Sequence, residues 1–277
     1  MAELIIDDEN YRRKAAPPSV DGAKMGMGLV PRDLKKNPYA GPDFAFDAVQ
    51  MPLIPRSEWS DRIKEMEATK SRLSDLRRRG NSEGGLIPSL DQNGQGYCWA
   101  YSTGMALMMT RVVSNLPYVR LSPHAVACKI KNFRDEGGWC GLSYKFAIEH
   151  GYPDQKMWPQ KSMSRSNDNE QTWVNAAKYK AVEGYYDMSV AVYDQEMTFD
   201  QVMSCLLCRI PVISDFNWWG HSVCALDPVE VEKGSFGIRI INSWTDSWGD
   251  LGEAVLRGNK AIPDNAVAPR TSTISLL

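Results

Sequence analysis

The sequence predicts an α+β fold with two lobes and an extended N-terminal arm. Helical patterns come first, between about residues 98 and 151, and strand-like runs follow from about residue 180. Residues 1–50 are interrupted throughout by proline and glycine, so they carry no periodic apolar face. Helices followed by strands favour two separate layers, with a cleft between the lobes.

These patterns divide the chain into two parts. We expect an extended arm over residues 1–50, which cannot build a core of its own. The folded domain is expected over residues 51–277, with a helical lobe over about 86–160 and an antiparallel β lobe over about 161–277.

The individual elements follow from periodicity and capping signals. The predicted helices are a charged one over Trp59–Arg79, a central one over Cys98–Val113, one capped by Ser122, one around Leu142–His150, and one opened by a Thr198–Gln201 capping box. The predicted strands are Lys180–Tyr186, Pro211–Phe216, His221–Leu226, Phe236–Asn242 and Glu253–Leu256.

Composition excludes several classes of function. The net charge is −2 and no basic stripe is present, which argues against nucleic-acid binding; Arg77–Arg79 is interpreted as a solvated helix end. No apolar stretch approaches the roughly 18 residues of a membrane span. The acidic N-terminus lacks a signal-peptide pattern, so a cytoplasmic or virion location is expected rather than secretion.

The six cysteines are expected to be reduced thiols in that setting. Cys205 and Cys208 form a C-x-x-C pattern, but the chain has no second C-x-x-C to complete a zinc site. A structural role near a helix end is therefore favoured over redox chemistry, and no metal or other cofactor is expected.

The most informative stretch runs from Gln92 to Trp99. Cys98 directly precedes an apolar helical run, and a helix start favours thiolate over thiol through its free N–H groups and dipole. Gln92, six positions earlier, can donate an amide N–H to an oxyanion beside the sulfur.

Two later segments supply the groups that a cysteine nucleophile needs. His221 opens an apolar, strand-like run, and Asn242 ends another. A thiolate works with an imidazole partner, and that imidazole must be oriented by a third group, which Asn can be without adding charge.

Together these segments resemble the active-site motifs of papain-like cysteine peptidases. The separations from Cys98 are 123 positions to His221 and 144 to Asn242, and the resemblance covers about residues 87–258. It implies a papain-like two-lobed fold whose central helix starts at the nucleophile. It also implies that Cys98 is the nucleophile, His221 its partner, Asn242 the orienting residue and Gln92 the oxyanion donor.

The resemblance also implies substrate-binding positions. Gly137 and Gly138 match the glycine pair whose backbone receives an extended substrate, and Trp244 matches the tryptophan that shields the Asn–His hydrogen bond. Only four residues separate Phe216 from His221, where relatives have a longer excursion on the leaving-group side. Trp219, with its neighbour Trp218, is predicted to replace that missing wall as an aromatic platform.

Two classes of function remain open at this stage. The leading hypothesis is a peptidase acting on a peptide or protein substrate, with a cytosolic aminopeptidase as a variant. The rival is a structural or assembly protein, virion-associated in one version, that is built on a peptidase fold. The arm occupies the place of a pro-segment and lies either along the cleft or on a neighbouring subunit; its lack of pro-segment helices favours docking on a partner.

Overall fold

The computed structural model describes residues 3–20, 23–39, 48–49, 51–80, 85–181, 185–188 and 192–269. Two buried apolar clusters form the cores of two lobes. The first surrounds the helix that begins at Cys98, and the second lies between the β-sheet and the helix Gln195–Leu207. No helix in the described ranges is long and apolar enough to cross a membrane.

The helices and strands are numbered in chain order. The helices are α1 (Tyr11–Lys14), α2 (Arg56–Ala68), α3 (Leu73–Arg79), α4 (Cys98–Val113), α5 (Pro123–Lys131), α6 (Cys140–Glu149), α7 (Glu170–Ala176) and α8 (Gln195–Leu207). The strands are β1 (Ile5–Ile6), β2 (Ser19–Val20), β3 (Ala23–Lys24), β4 (Ala48–Val49), β5 (Tyr185–Asp187), β6 (Val212–Phe216), β7 (His221–Glu232), β8 (Ser235–Ile241), β9 (Glu253–Arg257) and β10 (Asn265–Pro269). Short 3-10 helices lie at Arg165–Asn167, Ala177–Tyr179 and Gly258–Ala261.

Helix α4 is the centre of the helical lobe, and its bounds confirm the prediction. Every residue from Cys98 to Met109 is buried, with α5 and α6 packed against the helix and the sheet contacted through β7. A helix that is covered all round must be apolar on every face, which explains its alanine and methionine content. The nucleophile candidate therefore lies on a helix whose first twelve residues are all buried.

The main sheet has the strand order β1-β9-β8-β7-β6-β10-β5-β4. Its central pairs are antiparallel, as predicted, but the two edge pairs, β1 with β9 and β4 with β5, are parallel. Both edge strands come from the N-terminal arm. The arm thus covers both open edges of the sheet, which would otherwise leave backbone groups unpaired.

One arginine prediction was wrong. Arg77 is not a solvated helix end; its side chain is fully buried and forms ion pairs with Glu253 at 2.7 Å and Asp246 at 2.9 Å. The backbone N–H of Ser89 also donates to Asp246, and the Ser89 hydroxyl donates to the Asn242 carbonyl. Buried charges require such partners, and here they fasten the loop that follows β8.

Other elements differ from the predictions in detail. The charged helix breaks into α2 and α3 because Lys70 adopts a left-handed backbone, with φ of 53°. Helix α8 begins at Gln195 because Asp194 caps it by accepting from Met197 N–H, so the capping box predicted at Thr198 does not open it. Strand β10 was not predicted from the sequence. It ends at Pro269, and proline normally argues against a strand because it cannot donate a ladder hydrogen bond. The lobe boundary near residue 160 stays a prediction.

Candidate active site

Cys98 is the first residue of α4 and is fully buried. The turn before it is fixed on both sides: Trp99 Nε1 donates to the Gly96 carbonyl, and the Tyr97 hydroxyl donates to the Arg134 carbonyl. These contacts hold the helix start in one position. The predicted nucleophile therefore lies at a defined helix N-terminus, as the sequence indicated.

His221 and Asn242 lie together on neighbouring strands. His221 begins β7, Asn242 follows β8, and His221 Nε2 is 2.7 Å from Asn242 Oδ1. An amide oxygen only accepts, so Nε2 carries the proton and Nδ1 is the basic nitrogen. Nδ1 has no hydrogen-bond partner among the residues that the structure describes. The imidazole is thus oriented with its basic nitrogen available.

Two tryptophans enclose this pair. The Trp244 ring lies 4.6 Å from the His221 ring, and the Trp219 ring lies 5.0 Å from it on another side. Both indoles are buried and contact each other edge to face at 5.7 Å. They exclude water from the His221–Asn242 hydrogen bond, which strengthens it.

The Gln92 amide is oriented by its own hydrogen bonds. The Ser243 hydroxyl donates to Gln92 Oε1, which forces the amide NH₂ to face the cleft. Nε2 donates to the Gln95 carbonyl and to the Gly26 carbonyl of the arm, both at 2.9 Å. The predicted oxyanion donor therefore already binds a carbonyl oxygen.

The glycine pair receives an extended chain, and that chain is again the arm. Gly138 N–H donates to the Gly28 carbonyl at 2.9 Å, and Val30 N–H donates to the Gly138 carbonyl at 2.8 Å. A Cβ on Gly137 would lie 2.5 Å from the Gly28 oxygen, so only glycine permits this approach. The predicted substrate-binding backbone is thus competent to pair with a peptide.

Comparisons with solved structures agree with this fold. Xylellain, a cysteine protease from Xylella fastidiosa, superposes with a TM-score of 0.60 at 15% identity, covering 92% of this chain and 100% of that one. The recombinant stem bromelain precursor superposes with a TM-score of 0.58 at 13% identity, covering 91% of this chain and 84% of that one. The chain has the fold of the papain-like cysteine proteases.

The sequence similarity is weaker than the similarity of fold. Mouse cathepsin K is 25% identical over 227 residues, covering 73% of this chain and 62% of cathepsin K. The match thus spans less than two thirds of that relative. No protein-family model matches the chain.

The arm runs along the cleft from Trp219 to the glycine pair. Its Ala15 carbonyl accepts from Trp219 Nε1, its Gly26 carbonyl accepts from Gln92, and Leu29 pairs with Gly138. The arm therefore contacts these predicted site positions in turn.

This placement corrects the favoured prediction for the arm. Residues 3–20 and 23–39 lie on their own chain, along the cleft, rather than on a neighbouring subunit. Residues 40–47 and 50 lie outside the described residues.

Among the described residues, no cluster of acidic, histidine and cysteine side chains is suited to hold a metal ion.

The protonation states also differ from the sequence-based expectation of a thiolate. Burial raises the pKa of the Cys98 thiol to about 12, and the backbone N–H groups of Ser222 and Gly28 offset only part of that effect. Burial lowers the pKa of His221 to about 4, despite the Asn242 hydrogen bond. Burial therefore favours the neutral forms of both groups in this structure.

Sequence reasoning missed three residues that shape the site. Ser243 orients Gln92, Asp215 is fully buried beside the cleft, and Arg32 of the arm is buried against the same region. Asp215 could have been found from the sequence. It is an acidic residue inside the apolar run Val212–Phe216, and a buried carboxylate requires polar partners. Ser243 and Arg32 carried no such signal, because ordinary polar residues in a loop or an arm are usually solvated.

Proposed function

We propose that this chain is a cysteine peptidase that is held inactive by its own arm. The observation that carries the proposal is the Gln92 amide bound to the Gly26 carbonyl of the arm. The carbonyl occupies the position where a substrate's developing oxyanion is expected, so the arm and a substrate are mutually exclusive. The His221–Asn242 pair at the same site supplies the base that an acyl-transfer reaction needs.

The chemistry follows once the arm leaves the cleft. Water enters, the pKa values of Cys98 and His221 return toward their ordinary range, and the proton moves from the thiol to Nδ1 of the imidazole. The thiolate attacks the scissile carbonyl, and the Cys98 backbone N–H and Gln92 stabilise the oxyanion. His221 then protonates the leaving amine, and water hydrolyses the thioester.

Glycines allow the arm to lie this deep. A Cβ on Gly26 would lie 1.9 Å from the Gln95 oxygen, and a Cβ on Gly28 would lie 2.1 Å from the Gly96 oxygen. Both distances are shorter than any normal non-bonded contact. The arm therefore cannot keep this course through the cleft if positions 26 and 28 carry a side chain. The glycines at alternate positions are the structural basis of the proposed latency.

The test is labelling with an irreversible thiol-peptidase inhibitor, read by intact mass and peptide mapping. We expect slow labelling of the native chain, fast labelling of Cys98 in the Gly28→Ala variant, and none at this site after Cys98→Ala. Lys24→Ala, at an exposed arm side chain, is the matched control and should label as slowly as the native chain. Labelling of exposed Cys208 alone in the Gly28→Ala variant would contradict the proposal.

A further inference from the structure

Arg32 of the arm fills a side pocket of the cleft. Its side chain is only 2% exposed, and Nη1 lies 2.5 Å from Asn265 Oδ1 and 3.5 Å from Asp187 Oδ1. The guanidinium also lies over the Trp139 ring, 5.2 Å from its centroid. Nε donates to the Asn37 carbonyl of the arm itself. A long cationic side chain is thus held by the domain through its charge, its planar donors and an aromatic face.

The floor of this pocket is polar and acidic. Asp215 on β6 is opposite Asn265 on β10 in the sheet, and both side chains are buried. Asp215 Oδ2 accepts from Asn265 Nδ2 at 3.2 Å and from the Cys140 backbone N–H at 3.0 Å. These bonds orient Asn265 so that its oxygen faces Arg32. An apolar side chain in the same space would leave a buried amide oxygen without a donor.

The pocket belongs to the acyl side of the cleft. Trp139 and Cys140 directly follow Gly138, whose backbone pairs with Leu29 of the arm. Gly28, one residue earlier, has its N–H directed at Cys98. A substrate with its scissile carbonyl at Cys98 would therefore place its second or third residue before the scissile bond beside this pocket.

We propose that the pocket of Trp139, Asp187, Asp215 and Asn265 selects peptide substrates with arginine at the second or third residue before the scissile bond. Arg32 occupies the pocket as the arm's own substitute for that side chain. This inference rests on the proposed peptidase function. Arginine is preferred over lysine, because its planar fork can satisfy Asn265 and Asp187 together while stacking on Trp139.

The kinetic test uses the full chain with Gly28→Ala, which frees the cleft. Matched fluorogenic peptides carry a single arginine, lysine or leucine at the second or at the third residue before the scissile bond. We expect kcat/KM for an arginine peptide to exceed that of its leucine counterpart by at least about tenfold at one of the two positions. Adding Asp215→Asn or Asp187→Asn should remove most of that preference, measured as the ratio of kcat/KM for the arginine and leucine peptides within each variant.

A binding test separates this inference from the catalytic one. In the full chain with Gly28→Ala and Cys98→Ala, the arginine peptide should bind at least about tenfold more tightly than the leucine peptide by calorimetry. Glu149→Gln, at an exposed carboxylate at the end of α6, is the charge-matched control and should leave the preference intact. Equal affinities, or a preference that survives both aspartate substitutions, would overturn the pocket assignment whether or not the enzyme is active.

Discussion

The strands that carry the proposed catalytic residues and the arm that covers them are held in different ways. His221 begins the twelve-residue β7, which pairs with β6 on one side and β8 on the other. Between Lys24 and Arg32 the arm crosses the same site through separate hydrogen bonds, such as those of Gly26 with Gln92 and Leu29 with Gly220, and through an isolated bridge to Gly138 rather than a ladder. Continuous ladders open only with the whole sheet, whereas single contacts open locally. The site is therefore a stable scaffold under a displaceable cover.

The arm is fastened more firmly on either side of the nucleophile than over it. Before the cleft, β1 pairs with β9 and Asp7 forms an ion pair with Arg257 at 2.9 Å. Beyond it, Arg32 is buried against Asp187 and Asn265. The central part has no charged anchor in the described contacts and relies on glycine backbone. We expect the centre to lift from the cleft while β1 stays paired, and the following predictions test this contrast.

The largest effect is expected from removing the nucleophile once the cover is displaced. In the Gly28→Ala background, Cys98→Ala should lower peptide hydrolysis by a factor on the order of 10⁶, as for other nucleophile deletions. Cys208→Ala, at an exposed thiol, is the control and should leave the rate unchanged. Steady-state hydrolysis of a fluorogenic peptide measures both. Persistent activity after Cys98→Ala would show that another group reacts.

The second effect concerns the scaffold's oxyanion donor. In the same background, Gln92→Ala should lower kcat by roughly 10²- to 10³-fold, with little change in KM, because the amide acts mainly in the transition state. Gln171→Ala, in the exposed first turn of α7, should have no effect. An unchanged kcat in Gln92→Ala would remove this residue from the mechanism.

The third effect concerns the cover alone. A Cβ at Gly28 overpacks the cleft by an amount that typically costs about 1–3 kcal/mol. If that penalty falls only on the covered state, Gly28→Ala should raise peptidase activity about 10- to 100-fold. Lys24→Ala should leave activity at the native level. Hydrogen exchange of this variant should show the amides at positions 28 and 30 losing protection while β7 keeps it. Loss of protection at these positions and in β7 would mean that the arm and the sheet unfold together.

The remaining effect is on stability rather than on reaction rate, and it is a dependence of stability on pH. Because burial lowers the pKa of His221 and of His124 to about 4, below the ordinary value of about 6.5, the unfolded chain binds their protons more tightly. Stability from this source is fully present above pH 6.5 and is lost as pH falls toward 4, by roughly 3 kcal/mol for each residue at most.

Thermal unfolding between pH 7 and 4.5 measures this loss. The melting temperature of the native chain should fall by several degrees over that range, and His221→Asn should reduce the fall by about half. His150, which is exposed at the end of α6, provides the control: His150→Asn should leave the native pH dependence in place. A fall of the same size in His221→Asn would show that His221 is not the group that binds protons on unfolding.

The sequence by itself indicated the proposed reacting groups and their order. Cys98, Gln92, His221 and Asn242 carry local signals, because a helix start, a strand start and the end of an apolar run are all visible along the chain. The bounds of α4 followed from apolar periodicity that tertiary packing did not override. Each of these inferences depended on residues close together in sequence or on motifs with defined spacing.

Only the tertiary structure decided where the arm lies and what it does to the site. Gly26 and Gly28 are ordinary glycines in a proline- and glycine-rich segment, and their role appears only when Gln95 and Gly96 are brought against them. The pKa values of Cys98 and His221 were also decided by tertiary burial, which outweighs the backbone hydrogen bonds to the thiol and the Asn242 hydrogen bond to the imidazole. Such effects come from solvent exclusion between distant segments, which no local pattern in the sequence encodes.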